Sequence, residues 1–417
     1  MRNMLSKLAD KILLENIEKN QFTDYRKLGL DSIKLLNKDQ IDKLASINIK
    51  TLEDLSNHWM DTNKISEQCD IKLSLLEKIS ASCRILIRGK NIEVSDEVKL
   101  ILAGLDNSGK SSIISLLKRK KPLLEIHREI NNLPPTTGLM REEIDLSGLS
   151  IRLWELGGQE QYRTQYLKEP EMYFLDSHTL IFVLDIQNQK RFEESLAYMK
   201  SLIELLKFLE LPFPFQIFLH KADPNIDLIA YKTQLDENIK NIVRETGWKV
   251  PEEIYLTSIF DPASITSAFT NLLSRLVPIK TWIEESLVNI AIANKSPFCA
   301  ILNSDTLVYL GMYSAFTHDH TEKLKQIVLR NLHKINPSEE FFLIIEQKEL
   351  DKKPVYIGFT DVTINHRKFI YSAVYTSKRD AITNLDRDKL SPILQEDIGK
   401  EIEFLRISMV SAPRMLA

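Results

Sequence analysis

The sequence predicts a three-part α/β protein whose middle part is a mostly parallel sheet buried on both faces. Two observations carry this prediction. Thr179–Asp185 and Phe215–Leu219 are continuous apolar runs, which are typical of strands covered on both faces. Helical stretches near 190–208 and 227–246 follow these runs, and strands that alternate with helices favour parallel pairing.

The apolar patterns divide the chain into three domains. Residues 1–95 show apolar residues at helical spacing, and we expect a small all-α domain there. Residues 96–278 carry the alternating strands and helices described above. Residues 279–417 are expected to form an α/β domain with an antiparallel sheet, because helix candidates near both ends enclose several strand candidates.

The composition excludes several classes of protein. The 417 residues include 55 basic and 58 acidic side chains, and the net charge of −3 argues against a nucleic-acid coat or a polybasic membrane surface. No apolar run reaches the ~18 residues that a membrane helix needs. We expect a cytoplasmic protein, because the three cysteines lack metal or redox spacing and neither Arg2 nor the C-terminal residues fit a lipid-attachment motif. Any attachment to a membrane would then come through a partner protein.

Glycine is scarce in this chain, yet six of its twelve glycines lie between Gly104 and Gly158. Gly104–Ser111 matches the phosphate-loop pattern G-x-x-x-x-G-K-[ST] and lies between a strand candidate and a helix candidate. In such a loop, Lys110 bridges the β- and γ-phosphates and the Ser111 hydroxyl binds Mg²⁺. The nucleotide-binding residues expected here are Gly104, Asp106, Asn107, Ser108, Gly109, Lys110, Ser111 and Ser112.

Two further segments suit a terminal phosphate. In Trp154–Gln159, two adjacent glycines allow the Gly158 N–H to reach the γ-phosphate, and Gln159 is expected to orient the attacking water as a catalytic residue beside Lys110. In the loop 135–138, Thr136 is expected to bind Mg²⁺ with its side chain and the γ-phosphate with its main chain. Taken alone, each segment is better explained by an ordinary glycine-containing turn.

A third pair of segments suits a guanine base. Asp223, after the strand ending near Leu219, can accept two hydrogen bonds from the guanine N–H edge, which adenine lacks. We expect the Lys221 stem to lie over the base and His220 to bond to its other edge. A backbone N–H of Ser258 or Ile259 is expected to bind the guanine carbonyl.

In their order and spacing, these segments resemble the nucleotide site of a Ras-superfamily small GTPase over about residues 97–277. The phosphate loop, Pro135–Gly138 and Trp154–Gln159 are similar to the Arf branch, whereas His220–Asp223 and Thr257–Asp261 are similar to the Rag (Gtr) branch. The resemblance implies a P-loop GTPase domain that binds GTP or GDP with Mg²⁺ and hydrolyses GTP slowly, helped by an activating protein. It also implies effector proteins in signalling or trafficking, and a roadblock-like (longin-related) C-terminal domain that forms homo- or heterodimers.

The sequence departs from both branches at two places. Glu155 stands where both usually carry aspartate, and the extra methylene can disturb a contact to Mg²⁺. A nucleotide-stabilised scaffold or dimerisation protein without significant turnover is therefore the alternative function. The N-terminal domain has no counterpart in either branch. Its residues 39–55 resemble a helix-hairpin-helix unit, but Asn48 stands where DNA-binding hairpins carry glycine. We expect a structural or protein-binding role for this domain, and DNA binding is the third alternative.

Overall fold

The computed structural model describes most of the chain. The described residues are 2–17, 19, 23–88, 98–118, 123–130, 133–146, 149–211, 214–248, 254–276, 280–335, 342–347, 355–375, 377–385 and 390–396. Both expected domain boundaries, near residues 95 and 278, lie outside these ranges. Within the described residues, no helix is both long enough and apolar enough to cross a membrane.

The N-terminal part is helical, as expected. Its helices are α1 (Arg2–Ile12), α2 (Lys38–Ser46), α3 (Leu52–Asn57), α4 (Thr62–Cys69) and α5 (Leu73–Arg88). Side chains fix two of the helix starts, because Asn37 and Thr51 each form a reciprocal capping box with the residue three positions on. Between α2 and α3, Asn48 has φ +64°, the left-handed conformation that favours glycine. Asn48 therefore takes the backbone conformation that glycine favours, and the likeness to a helix-hairpin-helix unit stays a prediction.

The central part is a six-stranded sheet in the order β2-β3-β1-β4-β5-β6. Its strands are β1 (Val98–Ala103), β2 (Leu139–Leu146), β3 (Leu149–Leu156), β4 (Thr179–Asp185), β5 (Phe215–His220) and β6 (Ile254–Thr257). All pairs are parallel except β2 with β3, which confirms the mostly parallel prediction. Every residue of β1 and β5 is buried, as the continuous apolar runs require.

Helices cover both faces of this sheet and bring loop residues to the carboxyl ends of its strands. They are α6 (Lys110–Lys118), α7 (Leu123–Ile130), α8 (Glu160–Lys168), α9 (Pro170–Tyr173), α10 (Phe192–Phe208), α11 (Ile229–Thr246) and α12 (Pro262–Leu276). In an open parallel sheet, ligands bind at these carboxyl ends. The phosphate-loop segment follows β1, and the proposed guanine-reading segment follows β5.

The C-terminal part is a five-stranded antiparallel sheet in the order β8-β7-β11-β10-β9, with helices packed on it. Its elements are α13 (Lys280–Ala293), β7 (Phe298–Asn303), β8 (Tyr309–Ser314), α14 (His318–Leu332), β9 (Phe342–Gln347), β10 (Val355–Ile364), β11 (Arg367–Tyr375) and α15 (Lys378–Asn384). Residues 390–396 are also helical, at the start of the helix expected near 388–405. The roadblock-like assignment of this part stays a prediction.

A buried ion pair joins the N-terminal helices to the central part. The Arg84 Nε of α5 lies 2.5 Å from the Glu171 Oε1 of α9, and both side chains are almost fully buried. Arg84 also donates to the Lys168 carbonyl at the end of α8 and, over 2.9 Å, to Ser80 Oγ. Because a buried charge needs several partners, this guanidinium fixes α5 against the segment α8–α9.

Arg84→Ala is expected to lower the free energy of unfolding by about 3–5 kcal/mol, because it leaves the Glu171 carboxylate buried without its cation. Urea denaturation followed by circular dichroism measures this loss. Lys43→Ala is the control, since the Lys43–Asp39 pair is exposed on α2 and its loss should cost nothing measurable. The double variant Arg84→Met with Glu171→Leu should recover much of the loss. If Arg84→Ala is as stable as Lys43→Ala, the buried pair does not hold the two parts together.

Candidate functional site

The phosphate-loop segment wraps around the amino group of Lys110. Gly104 and Gly109 have φ angles of +145° and +94°, which side chains rarely adopt. Asn107 is also left-handed, with φ +57°. The Lys110 Nζ donates to the Gly104 carbonyl over 3.2 Å and to the Leu105 carbonyl over 2.8 Å. The loop therefore has the curvature that lets several backbone groups face one small charged group.

Lys110 is almost fully buried, with 4% of its surface exposed. Burial lowers its pKa to about 8, and the nearby Glu155 carboxylate offsets part of that fall. The Ser108 hydroxyl lies 3.5 Å from the same Nζ. Of the other predicted loop residues, Ser112 lies in the first turn of α6 beside Ser111.

Three oxygen-bearing side chains meet next to this lysine. Ser111 Oγ donates to Glu155 Oε1 over 2.6 Å, and Thr136 Oγ1 donates to the same oxygen over 2.8 Å. The two hydroxyl oxygens are 3.1 Å apart. Glu155 is 1% exposed, and its second oxygen, Oε2, has no hydrogen-bond partner within the described residues.

This donor set fits Mg²⁺. Magnesium prefers oxygen ligands, and the site offers two hydroxyls and a carboxylate with one oxygen left unpaired. Ser111 and Thr136 were expected from the sequence as metal ligands. Glu155 was expected to disturb the metal contact; in the structure its Oε1 accepts from both hydroxyls. Among the described residues, no group of three His, Cys, Asp or Glu side chains could hold a metal. A metal at this site would therefore need the two hydroxyls as ligands.

The two glycines after β3 pack against the other loops of the site. A Cβ on Gly158 would lie 1.9 Å from the Asp106 nitrogen, so only glycine fits there. The Gly157 N–H donates to the Gly138 carbonyl over 2.8 Å and to the Tyr166 hydroxyl over 2.9 Å. Tyr166, which is fully buried, also donates to the Gly138 carbonyl over 2.7 Å. The tyrosine thus ties loop 135–138 to Gly157 and to α8, and no sequence signal pointed to it.

Gln159 occupies the N-cap position of α8 without a side-chain capping hydrogen bond, and it is partly exposed. Its Oε1 accepts a hydrogen bond of 3.3 Å from the Gln161 amide. Within the described residues, the structure gives it no hydrogen bond to the phosphate loop. Its catalytic assignment stays a prediction.

The expected guanine-reading carboxylate has both of its oxygens engaged. Asp223 Oδ1 accepts from Ser258 Oγ over 2.5 Å, and Oδ2 accepts from the Gln187 amide over 2.7 Å. Lys221 has φ +62° and pairs with Asp185 over 2.8 Å. The sequence analysis placed Ser258 and Asp223 together but missed Gln187, whose amide donates to the Asp223 carboxylate.

His220 lies under the phosphate loop. Its ring is 1% exposed, its Nδ1 is 3.0 Å from Thr257 Oγ1, and a Cβ on Gly109 would lie 2.3 Å from its Cδ2. Burial lowers its pKa to about 3, so the ring is neutral at physiological pH. The hydrogen bond expected from His220 to the base edge stays a prediction. The ring packs between the phosphate loop and the end of strand β5, which Asp223 follows.

The Ile259 loop is held from another side. The Ile259 carbonyl is 2.9 Å from His127 Nε2 of α7, and the same ring meets Phe260 edge-on at a centroid distance of 5.5 Å. His127 had no assigned partner in the sequence analysis. Its contacts fix the loop whose backbone N–H groups were expected to face the guanine carbonyl.

These features define a Ras-superfamily small GTPase of the Arf-like and Rag-like kind. The Gtr1/RagA G protein conserved region matches residues 99–329, more than half of the chain, and the chain therefore belongs to that family.

Individual relatives cover smaller shares of the chain. Ras-related GTP-binding protein D of Mus musculus is 31% identical over 206 residues, which cover 48% of this chain and 44% of that protein. ADP-ribosylation factor-like protein 3 of Chlamydomonas reinhardtii is 28% identical over 165 residues, which cover 40% of this chain and 84% of that protein. The Arl6 BBS3 small GTPase from Trypanosoma brucei, solved with the nucleotide analogue GppNp, aligns at 22% identity over 43% of this chain and 97% of its own, with a TM-score of 0.33. The assignment of the chain to a family therefore rests on the match to the Gtr1/RagA region and not on this structure.

The affinity for GDP is expected to be flat below pH 8 and to fall above it. The free Lys110 amine loses its proton near pH 8, and a phosphate requires the charged form, so the affinity should drop by up to about tenfold per pH unit. Titration with a fluorescent GDP analogue between pH 6.5 and 9.5 measures this. Lys110→Met should bind weakly with no such slope. An equal slope in both proteins would assign the pH dependence to another group.

Proposed function

We propose that this protein is a guanine-nucleotide switch that binds GTP and GDP with Mg²⁺ and slowly hydrolyses GTP to GDP and phosphate. One observation carries the proposal: the oxygens of Ser111, Thr136 and Glu155 converge beside the Lys110 ammonium at the end of β1 and β3. A cation site next to a buried lysine suits a polyphosphate, which brings several negative charges to one place.

Within this proposal, the chain's own residues position the phosphates. Lys110, whose amine now donates to loop carbonyls, would turn its hydrogen bonds toward the β- and γ-phosphate oxygens. Ser111, Thr136 and Glu155 would hold Mg²⁺, which when bound neutralises charge on the phosphates. The Gly158 N–H would donate to the γ-phosphate, and Gln159 would orient the water. Such catalysis works by positioning and charge stabilisation.

The γ-phosphate would control the loops through hydrogen bonds that the site already contains. Thr136 reaches the metal cluster, Gly138 accepts from Gly157 and Tyr166, and Gly158 lies against the phosphate loop. Loss of the γ-phosphate would remove contacts to both loops at once. We therefore expect residues 130–140 and 157–168 to rearrange on hydrolysis.

Guanine selection would rest on Asp223. A guanine base offers two N–H donors on one edge, and the Asp223 carboxylate can accept both once the Gln187 amide moves away. The Ser258 hydroxyl, 2.5 Å from Asp223, holds the carboxylate in place. Adenine has no such pair of donors, so ATP would leave the carboxylate poorly paired.

The remaining parts of the proposal follow the family. The division into 1–95, 96–278 and 279–417, a roadblock-like dimer through the C-terminal domain, and activating and effector proteins are proposed as for Rag-like and Arf-like proteins. The relatives named above support them by family alone. The location proposed with this function is the cytoplasm, with attachment to a membrane only through a partner protein.

A second candidate is a nucleotide-stabilised scaffold or dimerisation protein without turnover. Glu155 favours it, because this carboxylate joins Ser111 to Thr136 by side-chain hydrogen bonds alone. Loop 135–138, held closed by these hydrogen bonds, would depend less on the metal and the γ-phosphate for its position. The scaffold predicts tight nucleotide binding whose affinity is unchanged by EDTA, and no release of phosphate from GTP. The switch predicts weaker binding in EDTA and slow phosphate release.

The first test is competition against a fluorescent guanine nucleotide, with Mg²⁺ and with EDTA. GTP and GDP should compete and ATP should not, and EDTA should weaken binding. Asp223→Asn should lower guanine affinity by about ten- to a hundredfold, because hydrogen bonds to a charged group are lost. Asp39→Asn, on exposed α2, is the control and should bind as wild type. Equal competition by ATP would refute the Asp223 assignment.

The second test is single-turnover GTP hydrolysis. Gln159→Leu should release phosphate at least about tenfold more slowly, because leucine cannot orient water. Gln165→Leu is the matched control, since Gln165 is exposed on the same helix and bonds only to Glu169 in the described contacts. Equal rates in wild type and Gln159→Leu would remove Gln159 from the mechanism, and no release in either would favour the scaffold.

A further inference from the structure

An arginine from a different part of the sequence reaches the phosphate loop. Arg191, just before α10, places its Nη2 2.9 Å from Asp106 Oδ1 and its Nη1 3.3 Å from the Asp106 carbonyl. The guanidinium therefore holds both the side chain and the backbone of one loop residue. Neither the sequence motifs nor the proposed function assigns a role to Arg191.

Asp106 is an unusual neighbour for a polyphosphate. It is the third residue of the loop, and its backbone nitrogen lies directly against Gly158, the glycine proposed to face the γ-phosphate. The Arg191 guanidinium holds the pKa of Asp106 below its ordinary value, so this carboxylate is ionised. An uncompensated negative charge here would repel the terminal phosphate of GTP, which carries more charge than that of GDP.

Arg191 is itself anchored. Glu194, one turn into α10, accepts from Arg191 Nε over 2.8 Å and from Arg191 Nη2 over 3.1 Å. The same carboxylate accepts from Arg163 Nη2 of α8 over 2.5 Å. Negative and positive charges thus alternate from the phosphate loop through α10 to α8. This arrangement fixes the position of Arg191. Its guanidinium is bound on one side by Asp106 of the loop and on the other by Glu194, which Arg163 also holds.

We propose that Arg191 is a positioning residue that neutralises Asp106 and so allows the phosphate loop to accept a triphosphate. The proposal rests on the proposed guanine-nucleotide function and deepens it. Arg191 does not need to touch the nucleotide for this role. It acts through Asp106, holding that carboxylate on the α10 side of the loop.

The test is the ratio of GTP affinity to GDP affinity in charge variants. Arg191→Ala should lower the affinity for GTP about tenfold more than the affinity for GDP, because Asp106 is left unpaired beside the extra phosphate charge. Adding Asp106→Asn should restore the ratio, since the asparagine removes the repulsive charge. Arg191→Lys should keep most of the ratio.

The controls separate this role from a loss of structure. Lys200→Ala removes an exposed ion pair between α10, the helix that follows Arg191, and Glu245 of α11, and should leave the ratio unchanged. Thermal melting of each variant reports folding, and Arg191 is partly exposed, so the variants should remain folded. An unchanged ratio in Arg191→Ala, or a loss that Asp106→Asn does not reverse, would overturn the proposal. If wild-type protein binds no guanine nucleotide, the proposed function itself fails.

Discussion

The buried carboxylate of Glu155 organises the site. It is the penultimate residue of strand β3, which pairs in parallel with β1, and Leu102 of β1 is its register partner. The loop that follows β1 therefore starts beside this carboxylate, and Ser111 and Thr136 both turn their hydroxyls toward it. Desolvating a charge is costly unless donors surround it, and the fold satisfies one oxygen of Glu155, Oε1, by bringing two otherwise separate segments together. Its field also keeps the buried Lys110 closer to its charged form.

Local patterns predicted most of the sheet but not the contacts between its loops. The apolar strands and the phosphate loop were readable because burial and glycine geometry act over a few residues. Strand β2 was missed because its residues 140–143 are largely exposed at the sheet edge and carry little apolar signal. Tyr166, Gln187 and Arg191 were missed for another reason. Their partners are distant in sequence, and only the packed fold places a hydroxyl, an amide and a guanidinium where they act.

Helix α9 is held from two sides by buried cations. Arg84 pairs with Glu171 from the N-terminal helices, while Lys99 of β1 donates to the Tyr173 and Leu175 carbonyls over 2.7 and 3.0 Å. Lys99 also lies 3.5 Å from the centre of the Trp154 ring, and burial lowers its pKa to about 7. The N-terminal helices, through Arg84, and the central sheet, through Lys99, therefore both hold the segment that follows Gly157 and Gly158.

The Arg84–Glu171 pair also limits how such a protein can change over generations. Losing either partner alone leaves the other charge stranded in the interior, whereas exchanging both for apolar residues of similar size leaves the packing intact. The two positions are therefore bound to vary together in any lineage that retains the helical N-terminus. A descendant that sheds those helices has no reason to keep an acidic residue at position 171.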